Sequence, residues 1–433
     1  MRVLFVTYPE DSNVKGMVSL AWALGAAGHD VLVAGHPESV EFVRRAGLTA
    51  VSLGRDHVMW SYMKRRSHLA QQDRAARSPF YTRGDAPDDE LTWEHLGEHF
   101  GALVDWEYRM INDPLLYDLV GFCRTWGPEL VIWESTTVAG AIAAEACGAA
   151  HGRMTWALDF KGRYRERYVE LKEQRPGDDR PDAMQEWITR QAARFGVGFS
   201  EELTTGQFTV DQLPESFRLN TDRPVLPMRY VPYNGSAELP DWILAPSDRP
   251  RVCLTLGATF KDRVGAPLAD AQELIESLGE VDAEVVATFG KEQRAGLLGT
   301  VPDNVRLVDF VPFNALFPTC AAVVHHGGIG VFSTAMLAGV PQVILPEVYD
   351  TPARARRLER KGAGLVVEEG PEGLAARVRD ALGTVLSEPA FAEGAAVLRE
   401  EARTMPLPSE VVPWLEQHTA RHRAGTAGAV VPV

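Results

Sequence analysis

A turn between a buried strand and a helix carries the residues of this sequence that are best suited to chemistry. The segment AAVVHHGGIGVFSTAMLAGVP, residues 321–341, ends an apolar run with two histidines and continues with Gly327, Gly328 and Gly330. A turn without side chains lets backbone amides approach a phosphate, and the following helix N-terminus adds a favourable dipole. His325 could donate a hydrogen bond or partial positive charge to the same anion. We therefore predict a diphosphate-binding turn, against two alternatives: that the glycines only let the helix pack closely on the strand, and that His326 is structural.

A carboxylate and a hydroxyl follow the next apolar run. Asp350 and Thr351 come after a strand that ends near Leu345, at the carboxyl edge where ligands of parallel sheets bind. They could hydrogen-bond sugar hydroxyls, although an Asp-Thr-Pro run is also typical of a helix cap. Further along the same helix, three basic residues are expected to lie on a solvated face: Arg354, Arg356 and Arg357.

Length and charge restrict the architecture and the partners. The chain has 433 residues, more than one core usually supports, which favours two domains of roughly 200 residues each. A formal net charge of -15 disfavours nucleic acid and anionic membranes as partners, because both require clustered Lys and Arg. No apolar stretch is long enough to predict a membrane span. Four widely spaced cysteines without a CxxC pair indicate reduced thiols and a cytoplasmic protein.

Strand, helix and strand alternate twice along the chain. An apolar run at residues 2–7, a helix at about 17–27 and a run at 31–34 form a first βαβ unit. Prolines crowd residues 214–250, and the apolar run RVCLTLG then opens a second alternation. The prediction is an α/β protein with two doubly wound Rossmann-like domains. The expected boundaries are an N-terminal domain at 1–220, a linker at 221–245, a C-terminal domain at 246–405, a helix at 406–422 that returns to the N-terminal domain, and a tail at 423–433.

The first alternation is interrupted between about Arg55 and Asn112 by a segment rich in charge and aromatic residues. Its aromatic side chains include Trp60, Tyr62, Tyr81, Trp93, Trp106 and Tyr108. Aromatic residues on such insertions more often pack than contact ligands, yet a hydrophobic acceptor site would need walls of this kind. Both interpretations stay open.

These motifs together resemble inverting glycosyltransferases of the GT-B fold. The resemblance rests on the HHGGIG turn, the LAGVPQVILPEVYDT segment, MRVLFVT followed by LAWALGAAGHDV, the VPYNG linker and RVCLTLGAT. Within that group the chain is most similar to actinomycete enzymes that attach deoxysugars to polyketide antibiotics of the macrolide and anthracycline type. The resemblance spans nearly the whole chain. The sequence has neither the Lys and Ser/Thr pairing of a P-loop nor an N-terminal dinucleotide fingerprint, which disfavours kinases and dehydrogenases.

The resemblance implies a nucleotide-sugar donor, linked to thymidine diphosphate and held by the C-terminal domain, and a hydrophobic small-molecule acceptor in the N-terminal domain. By match, the diphosphate would lie on His325 and on the backbone of Gly328, Gly330 and Val331, with Gly257, Ala258 and Thr259 beside it. The Val311 backbone would pair with the base, and Asp350 and Thr351 would face the sugar. Some similar enzymes work with an activator protein, for which residues 55–112 would be the contact region. A homodimer is left open.

The chain departs from the resemblance at the expected general base. Similar enzymes usually carry a histidine on the loop after the first strand, and Asn13 stands at that position here. An amide cannot act as a base at neutral pH. Two carboxylates could replace it: Asp11 on the same loop and Glu134 at the end of the VIWE strand, unless Glu134 is a helix cap and Asp11 an ordinary loop acid. A carboxylate base would suit a phenolic or carbon-nucleophile acceptor better than an aliphatic alcohol.

The expected reaction is a single displacement with inversion, in which His325 and the helix N-terminus bear the charge that develops on the β-phosphate. The sequence has no convincing Asp-x-Asp pair, so no metal and no other cofactor is expected. Two other functions stay open: a helper subunit that binds nucleotide without catalysis, and a nucleotide-sugar epimerase.

Overall fold

The computed structural model describes residues 1–59, 61, 86–87, 89–257, 271–290, 294, 296–297, 299–346, 349–368 and 373–425. The chain divides into two compact units. Unit 1 consists of the described residues within Met1–Tyr62, Asp85–Tyr233 and Met405–Val433, and unit 2 of those within Asn234–Thr404. The division after Tyr233 falls inside the proline-rich segment that separates the two alternations of the sequence.

Strands and helices alternate along the described chain. The strands are β1 (Arg2–Val6), β2 (Asp30–Gly35), β3 (Ala50–Ser52), β4 (Leu130–Glu134), β5 (Ala150–Thr155), β6 (Thr209–Asp211), β7 (Val225–Pro227), β8 (Arg251–Thr255), β9 (Glu284–Thr288), β10 (Val305–Val308), β11 (Ala322–His325), β12 (Gln342–Ile344) and β13 (Gly364–Val366). The α-helices are α1 (Asp11–Ala26), α2 (Val40–Arg45), α3 (Trp93–Leu103), α4 (Arg109–Trp126), α5 (Ala139–Cys147), α6 (Phe160–Glu173), α7 (Ala183–Ala193), α8 (Glu202–Thr205), α9 (Asp241–Leu244), α10 (Ala271–Leu278), α11 (Phe313–Leu316), α12 (Ile329–Ala338), α13 (Thr351–Arg360), α14 (Leu374–Ser387), α15 (Pro389–Thr404) and α16 (Pro408–Arg423). A π-helical turn, Val104–Tyr108, joins α3 to α4, and 3-10 turns lie at Pro37–Ser39 and Phe317–Thr319.

Unit 1 is built on a parallel sheet that is covered on both faces. Its strand order is β3-β2-β1-β4-β5-β6-β7, and neighbouring strands are parallel. Along β1, Leu4 and Val6 enter one hydrophobic cluster, whereas Val3 and Phe5 enter a second one. Because successive side chains of a strand point to opposite faces, these clusters lie on the two sides of the sheet. This explains the continuous apolar run in the sequence.

Unit 2 repeats the same construction. Its strand order is β10-β9-β8-β11-β12-β13, again with parallel neighbours. Val252 and Leu254 of β8 enter one hydrophobic cluster and Cys253 enters another. The predicted pair of doubly wound α/β sheets is therefore confirmed.

Each sheet reverses its strand order at one place. The reversal lies between β1 and β4 in unit 1 and between β8 and β11 in unit 2. Ligands of doubly wound sheets bind outside the carboxyl ends of the strands at such a reversal. The turns after these four strands are therefore the first places to look for a site.

Helix α1 begins earlier than the sequence pattern predicts. It starts at Asp11 rather than near Met17, so that Asp11 and Asn13 lie in its first turn and not on a loop. Buried Val14, Met17 and Val18 give the helix an apolar face from its first turns, and an acidic residue is favourable at a helix N-terminus. The prediction of a catalytic loop at this position is corrected accordingly.

The C-terminal helix α16 packs on unit 1. Its Val411, Val412 and Leu415 enter the same hydrophobic cluster as Met17 and Leu20 of α1. Helix α16 thus contributes to the core of unit 1, the unit that also contains β1.

Candidate functional site

The glycine-rich turn of unit 2 leaves backbone amides without acceptors. β11 ends at His325, Gly327 adopts a left-handed φ of 89°, and Gly328 is the N-cap of α12. The Phe332 amide donates to the Gly328 carbonyl at 2.9 Å. The amides of the three preceding residues therefore have no acceptor within the helix. Free amides at a helix N-terminus can bind an anion. The diphosphate site at this turn stays a prediction.

A second glycine turn lies beside the first. Thr255 at the end of β8 pairs with His325 at the end of β11, and Gly257 follows with a φ of 70°. The His326 imidazole lies between the two turns. A Cβ at Gly257 would approach His326 Cε1 to 2.4 Å, and a Cβ at Gly328 would approach its Nε2 to 2.7 Å. Neither glycine can carry a side chain unless this ring moves.

His325 does not lie where the sequence prediction puts it. Its side chain is fully buried, its Nδ1 accepts the Gly327 amide at 3.0 Å, and its Nε2 donates to Oε1 of Gln342 at 2.8 Å. Burial, reinforced by the charge of the neighbouring His326, lowers the pKa of His325 to about 3. Both ring nitrogens are thus used inside the protein, and the imidazole is neutral at pH 7. The expectation that His325 contacts an anion is corrected: the ring fixes the path of the turn.

The imidazole that lies beside the two glycine turns is that of His326, and not that of His325. Burial lowers its pKa to about 4, the Thr255 backbone acts in the opposite direction, and the charge of Arg354 lowers it further. The ring beside the turn is therefore a neutral imidazole at pH 7. Any attraction for an anion here comes from backbone dipoles and from Arg354, and not from a histidine charge.

Arg354 corrects the expectation of a solvated basic face on α13. Its side chain is 1% exposed, Nη2 donates to the Gly327 carbonyl at 2.6 Å, and its Nε lies 3.3 Å from a carboxylate oxygen of Asp350. The guanidinium also lies 4.7 Å from the centre of the Phe332 ring. Burial lowers the pKa of Arg354, against the Asp350 charge. The sequence analysis missed this residue, although the spacing from Asp350 to Arg354 is that of an ion pair on a helix.

Asp350 and Thr351 start helix α13 against the glycine turn. Asp350 is the N-cap residue, is 3% exposed and makes no side-chain cap bond; its carboxylate pairs with Arg354 instead. Thr351 packs against the turn, because a Cβ at Gly327 would lie 3.1 Å from Thr351 Cβ. The alternative of a simple helix cap is therefore not what the structure shows.

The remaining predicted donor residues are distributed over the same unit. Val311 follows β10, at the far end of the sheet, and is buried, whereas the adjacent Phe310 is 55% exposed. An exposed aromatic ring beside Val311 is a surface on which a nucleobase could stack, and the sequence analysis missed it. Ala258 and Thr259 lie outside the described residues.

In unit 1, Glu134 is enclosed by donors. Its side chain is 1% exposed. Oε1 accepts from Ser135 Oγ at 2.9 Å, Thr136 Oγ1 at 3.2 Å and Trp156 Nε1 at 2.8 Å. Oε2 accepts from the Thr136 amide at 3.0 Å and Thr137 Oγ1 at 3.3 Å. Five donors occupy the lone pairs that a general base would use, so the carboxylate orders the turn after β4.

A buried ion pair extends this polar network. Lys161 Nζ donates to Thr136 Oγ1 at 2.9 Å and to Glu107 Oε1 at 2.6 Å. Burial alone would lower the pKa of Lys161, but the charges of Glu107, Tyr108 and Glu134 and the hydrogen bond to Glu107 together outweigh it, and the pKa is raised. Glu107 lies in the π-helical turn, an irregularity that is frequent at functional sites.

The two other predicted catalytic residues differ in access. The Asp11 carboxylate is 40% exposed and pairs with Lys15 at 2.6 Å. Asn13 is 2% exposed, and neither its Oδ1 nor its Nδ2 has a hydrogen-bond partner among the described residues. An unsatisfied buried amide costs stability, about 1–3 kcal/mol, and invites an explanation such as an absent ligand.

A pair of histidines lies at the carboxyl end of β2 and was not singled out from the sequence. His36 directly follows the strand, donates from Nε2 to the Ile111 carbonyl at 2.9 Å, and its ring centre lies 5.3 Å from that of His57. Tyr8, two residues beyond β1, lies 6.1 Å from His57 by ring centres. Burial, with the charge of His36, lowers the pKa of His57 to about 4. The signal that could have found them is the position of His36 immediately after a strand.

One cluster in unit 1 has the composition of a metal site. Ligand atoms of Glu145, His151 and Glu202 lie within 4.8 Å of one another. However, Trp133 Nε1 donates to Nδ1 of His151 at 3.3 Å, so the ring proton lies on Nε2, which contacts Glu145 at 3.2 Å. Metal coordination through Nε2 would require that proton to leave and the tryptophan contact to break. The donor set does not fit a resident metal.

The described part of the aromatic insertion is packed rather than open. Trp93 stacks on Tyr168 with ring centres 4.3 Å apart, and Tyr108 stacks on Trp187 at 6.0 Å. Trp60, Tyr62 and Tyr81 lie outside the described residues. For Trp93 and Tyr108, packing is therefore the observed role.

Sequence comparisons identify the family. Residues 22–257 match the N-terminal domain, and residues 272–418 the C-terminal domain, of the family described as erythromycin biosynthesis protein CIII-like. The chain is 42% identical to aclacinomycin-T 2-deoxy-L-fucose transferase of Streptomyces galilaeus, with 99% of both chains covered. It is 41% identical to 10-deoxymethynolide desosaminyltransferase of Streptomyces venezuelae, with 99% of this chain and 100% of the relative covered. Among the described residues, no helix is both long enough and apolar enough to cross a membrane.

Solved structures agree with this assignment. Glycosyltransferase VinC in complex with dTDP superposes with a TM-score of 0.85 at 40% identity and covers 97% of this chain and 100% of its own. Spinosyn forosaminyltransferase SpnP gives a TM-score of 0.80 at 36% identity, with coverage of 97% and 99%. The chain therefore belongs to the erythromycin biosynthesis protein CIII-like family and is an inverting nucleotide-sugar glycosyltransferase of the GT-B fold.

Proposed function

We propose that the protein transfers a deoxysugar from a thymidine diphosphate carrier to a polyketide aglycone. The observation that carries the proposal is the pair of glycine turns at the reversal of the unit 2 sheet, in a chain whose relatives are named as deoxysugar transferases. The structure of glycosyltransferase VinC holds dTDP, which supports a thymidine nucleotide as the carrier. The aglycones in the relatives' names, such as aklavinone and 10-deoxymethynolide, support a polyketide acceptor.

The proposed donor contacts are mainly backbone contacts. The diphosphate would accept from the free amides of Gly328, Gly330 and Val331 at the start of α12, with Gly257, Ala258 and Thr259 beside it. Gly327 would shape the turn, because its own amide donates to His325 Nδ1. The base would pair with the Val311 backbone and stack on Phe310. Thr351 would lie beside the sugar, with Asp350 fixed by its ion pair to Arg354.

The proposed mechanism is a direct displacement at the anomeric carbon. The acceptor attacks from the face opposite the diphosphate, so that the configuration inverts. As the bond to the diphosphate lengthens, charge grows on the β-phosphate, and the oriented amides of the turn stabilise it. Arg354 polarises the turn through the Gly327 carbonyl. The mechanism uses no metal and no further cofactor.

For the proton of the acceptor we propose Asp11 as the base. Its carboxylate is exposed at the first turn of α1, next to the unit 1 reversal, whereas the Glu134 oxygens are occupied by five donors. Glu134 would act by positioning the turn after β4, and Asn13 would offer its unpaired amide as a hydrogen-bond partner for the acceptor.

Three further points belong to the proposal. The acceptor would be a hydrophobic small molecule bound by unit 1. Residues 55–112 would contact an activator protein, and a homodimer would be compatible with catalysis within one chain. The four cysteines, which form no disulfide, support a cytoplasmic location.

A transfer assay tests the function. Purified protein is incubated with a thymidine diphosphate deoxysugar and a polyketide aglycone, with and without a candidate activator protein, and glycoside and released thymidine diphosphate are measured by mass spectrometry. We expect equal amounts of both products, and an inverted anomeric configuration in the NMR coupling constants of the glycoside. Uridine diphosphate glucose with the same aglycone serves as the control donor.

The same assay separates the alternatives. An epimerised sugar formed from donor alone would support the nucleotide-sugar epimerase. Thymidine diphosphate binding without transfer or donor hydrolysis, with every activator tried, would support the helper subunit. The family assignment favours neither of them.

A further inference from the structure

A recess lined by arginines lies in unit 1, beside strands that do not border the reversal of its sheet. It opens beside β5, β6 and β7, at the end of the strand order. Its charged lining consists of Arg153, Arg163, Arg218, Arg223, Asp159 and Asp211. Four guanidinium groups thus face two carboxyl groups in a chain whose formal net charge is -15.

Several guanidinium nitrogens of this recess lack acceptors. Nε of Arg153, Nε of Arg218 and Nη1 of Arg223 are buried and have no hydrogen-bond partner among the described residues. Arg153 is 1% exposed, so its charge cannot be solvated by bulk water. Arginine N–H groups that are buried and unpaired are costly, which calls for an acceptor that the chain itself does not supply.

The acidic residues do not balance this charge. Asp159 is already bound by Arg153 Nη2 and by the Gly162 amide at 3.0 Å. Arg223 lies 3.9 Å from Glu166 and donates from Nη2 to the Gly162 carbonyl at 2.8 Å. Burial and then the charge of Arg153 lower the pKa of Arg223, and the charges of Glu166, Asp159 and Glu201 do not fully offset them.

Asp211 makes the charge of the recess depend on pH. Its carboxyl group is buried and accepts the Leu213 amide at 2.9 Å. Burial raises the pKa of Asp211 to about 7, and repulsion by the Asp159 charge acts in the same direction. The hydrogen bond from the Leu213 amide and the charges of Arg218 and Arg153 act in the opposite direction. Below that pH, Asp211 is neutral and the excess of positive charge in the recess grows.

We propose that this recess is a second anion site, which binds a tetrahedral oxyanion, either free phosphate or the phosphate of a small monoester. Guanidinium groups match such oxyanions because their N–H donors can pair with two oxygens at once. Asn220 also lines the recess and adds an amide donor. The site is separate from the proposed diphosphate turn, which lies in unit 2.

The experiment measures sulfate binding by calorimetry, with the donor site first saturated by thymidine diphosphate. Sulfate is the probe because its charge does not change between pH 6 and pH 8. Arg218→Gln removes one guanidinium with an unpaired Nε, and Arg44→Gln is the matched control, since Arg44 is an exposed arginine of the same unit. We expect one sulfate per chain and at least about tenfold weaker binding in Arg218→Gln, but unchanged binding in Arg44→Gln.

The pH dependence gives a second and independent readout. Wild-type protein should bind sulfate several-fold more tightly at pH 6 than at pH 8, because Asp211 loses its proton between them. Asp211→Asn keeps an acceptor for the Leu213 amide and should bind sulfate equally at both pH values.

Competition by glycerol 3-phosphate identifies a monoester as the occupant, and competition by inorganic phosphate alone identifies the free ion. The proposal is overturned if sulfate does not bind saturably, or if Arg218→Gln and Arg44→Gln bind alike. Loss of the transferase activity in the same preparation would not affect this result.

Discussion

The turns at the two sheet reversals differ in the groups that line them: backbone in unit 2 and polar side chains in unit 1. In unit 2 the turns after β8 and β11 leave backbone partly exposed, because Gly257 and Gly328 carry no side chains. In unit 1 the equivalent positions carry buried polar side chains, with Glu134 at 1% and Asn13 at 2% exposure. Unit 2 thus presents amides to a ligand, and unit 1 presents side chains whose state depends on their neighbours.

This difference fits the two tasks of a transferase. A diphosphate is the same in every donor, and helix amides suffice to bind it. An acceptor differs from one enzyme to the next, and side chains can be exchanged without changing the path of the chain. The predictions below test this contrast, beginning with the largest expected effect.

Among these variants, the removal of Arg354 should cause the largest loss of stability. Arg354→Met removes the ion pair of the buried Asp350 carboxylate and releases the Gly327 carbonyl, so we expect a loss of about 3–5 kcal/mol in unfolding free energy and much weaker thymidine diphosphate binding. Arg356→Met is the control on the same helix, because Arg356 is half-exposed and lies 4.0 Å from Glu368; it should cost under about 1 kcal/mol. Urea unfolding measures both, and equal losses would contradict the assigned role.

A side chain at the second glycine turn should abolish most donor affinity. Gly257→Ala forces a Cβ against the His326 ring at a φ of 70°, which should weaken thymidine diphosphate binding by about a hundredfold, or about 2.7 kcal/mol. Gly383→Ala is the matched control, because a Cβ there meets nothing within 4 Å. Calorimetry on the two variants compares them. Unchanged affinity in Gly257→Ala would show that the turn does not face the donor.

In unit 1, the two carboxylates should behave differently. Glu134→Gln replaces one carboxylate oxygen with an NH2 group that faces two or three of the five donors, and should destabilise the protein by about 1–3 kcal/mol, with a smaller effect on turnover of the folded enzyme. Asp11→Asn should leave the melting temperature within a degree or two, since exposed pairs contribute little, but lower kcat strongly. Thermal unfolding measures the effect on stability, and the pH profile of kcat measures the effect on catalysis. If neither variant changes kcat, the base is not a carboxylate and the pair of His36 and His57 becomes the next candidate.

The smallest expected effect concerns Asp211. Its pKa is about 7 in the folded chain and 3.8 is its ordinary value, so the unfolded chain loses this proton at lower pH. The contribution of Asp211 to stability therefore falls as pH rises from about 4 to about 7 and stays low above that. Asp211→Asn should match wild type near pH 4 and be more stable at pH 8, by on the order of 1 kcal/mol. A constant difference at both pH values would contradict the raised pKa.

The turn in unit 2 could be predicted because it depends on local sequence. Gly327 and Gly328 directly follow an apolar strand and precede a helix, so the path of the chain follows from a few adjacent residues. The same holds for the two doubly wound sheets, whose strands appear as separate apolar runs.

The roles of the side chains could not be predicted in the same way. Which of two adjacent histidines contacts the turn depends on Gln342, 17 residues away, which holds His325. Arg354 looked like a member of a solvated basic run, because its burial depends on how helix α13 docks against Phe332. For Glu134 a local signal existed: three hydroxyl residues follow it directly, and all three donate to it.

Hydrogen exchange tests the central claim most directly, namely that free backbone amides at the start of α12 hold the donor diphosphate. Exchange is followed by mass spectrometry on a peptide covering residues 326–332, with and without thymidine diphosphate, and a peptide from α14 serves as the internal control. We predict that the nucleotide slows exchange in the first peptide by about tenfold or more and leaves α14 unchanged. Nucleotide binding that protects another region and leaves residues 326–332 unprotected would contradict the account.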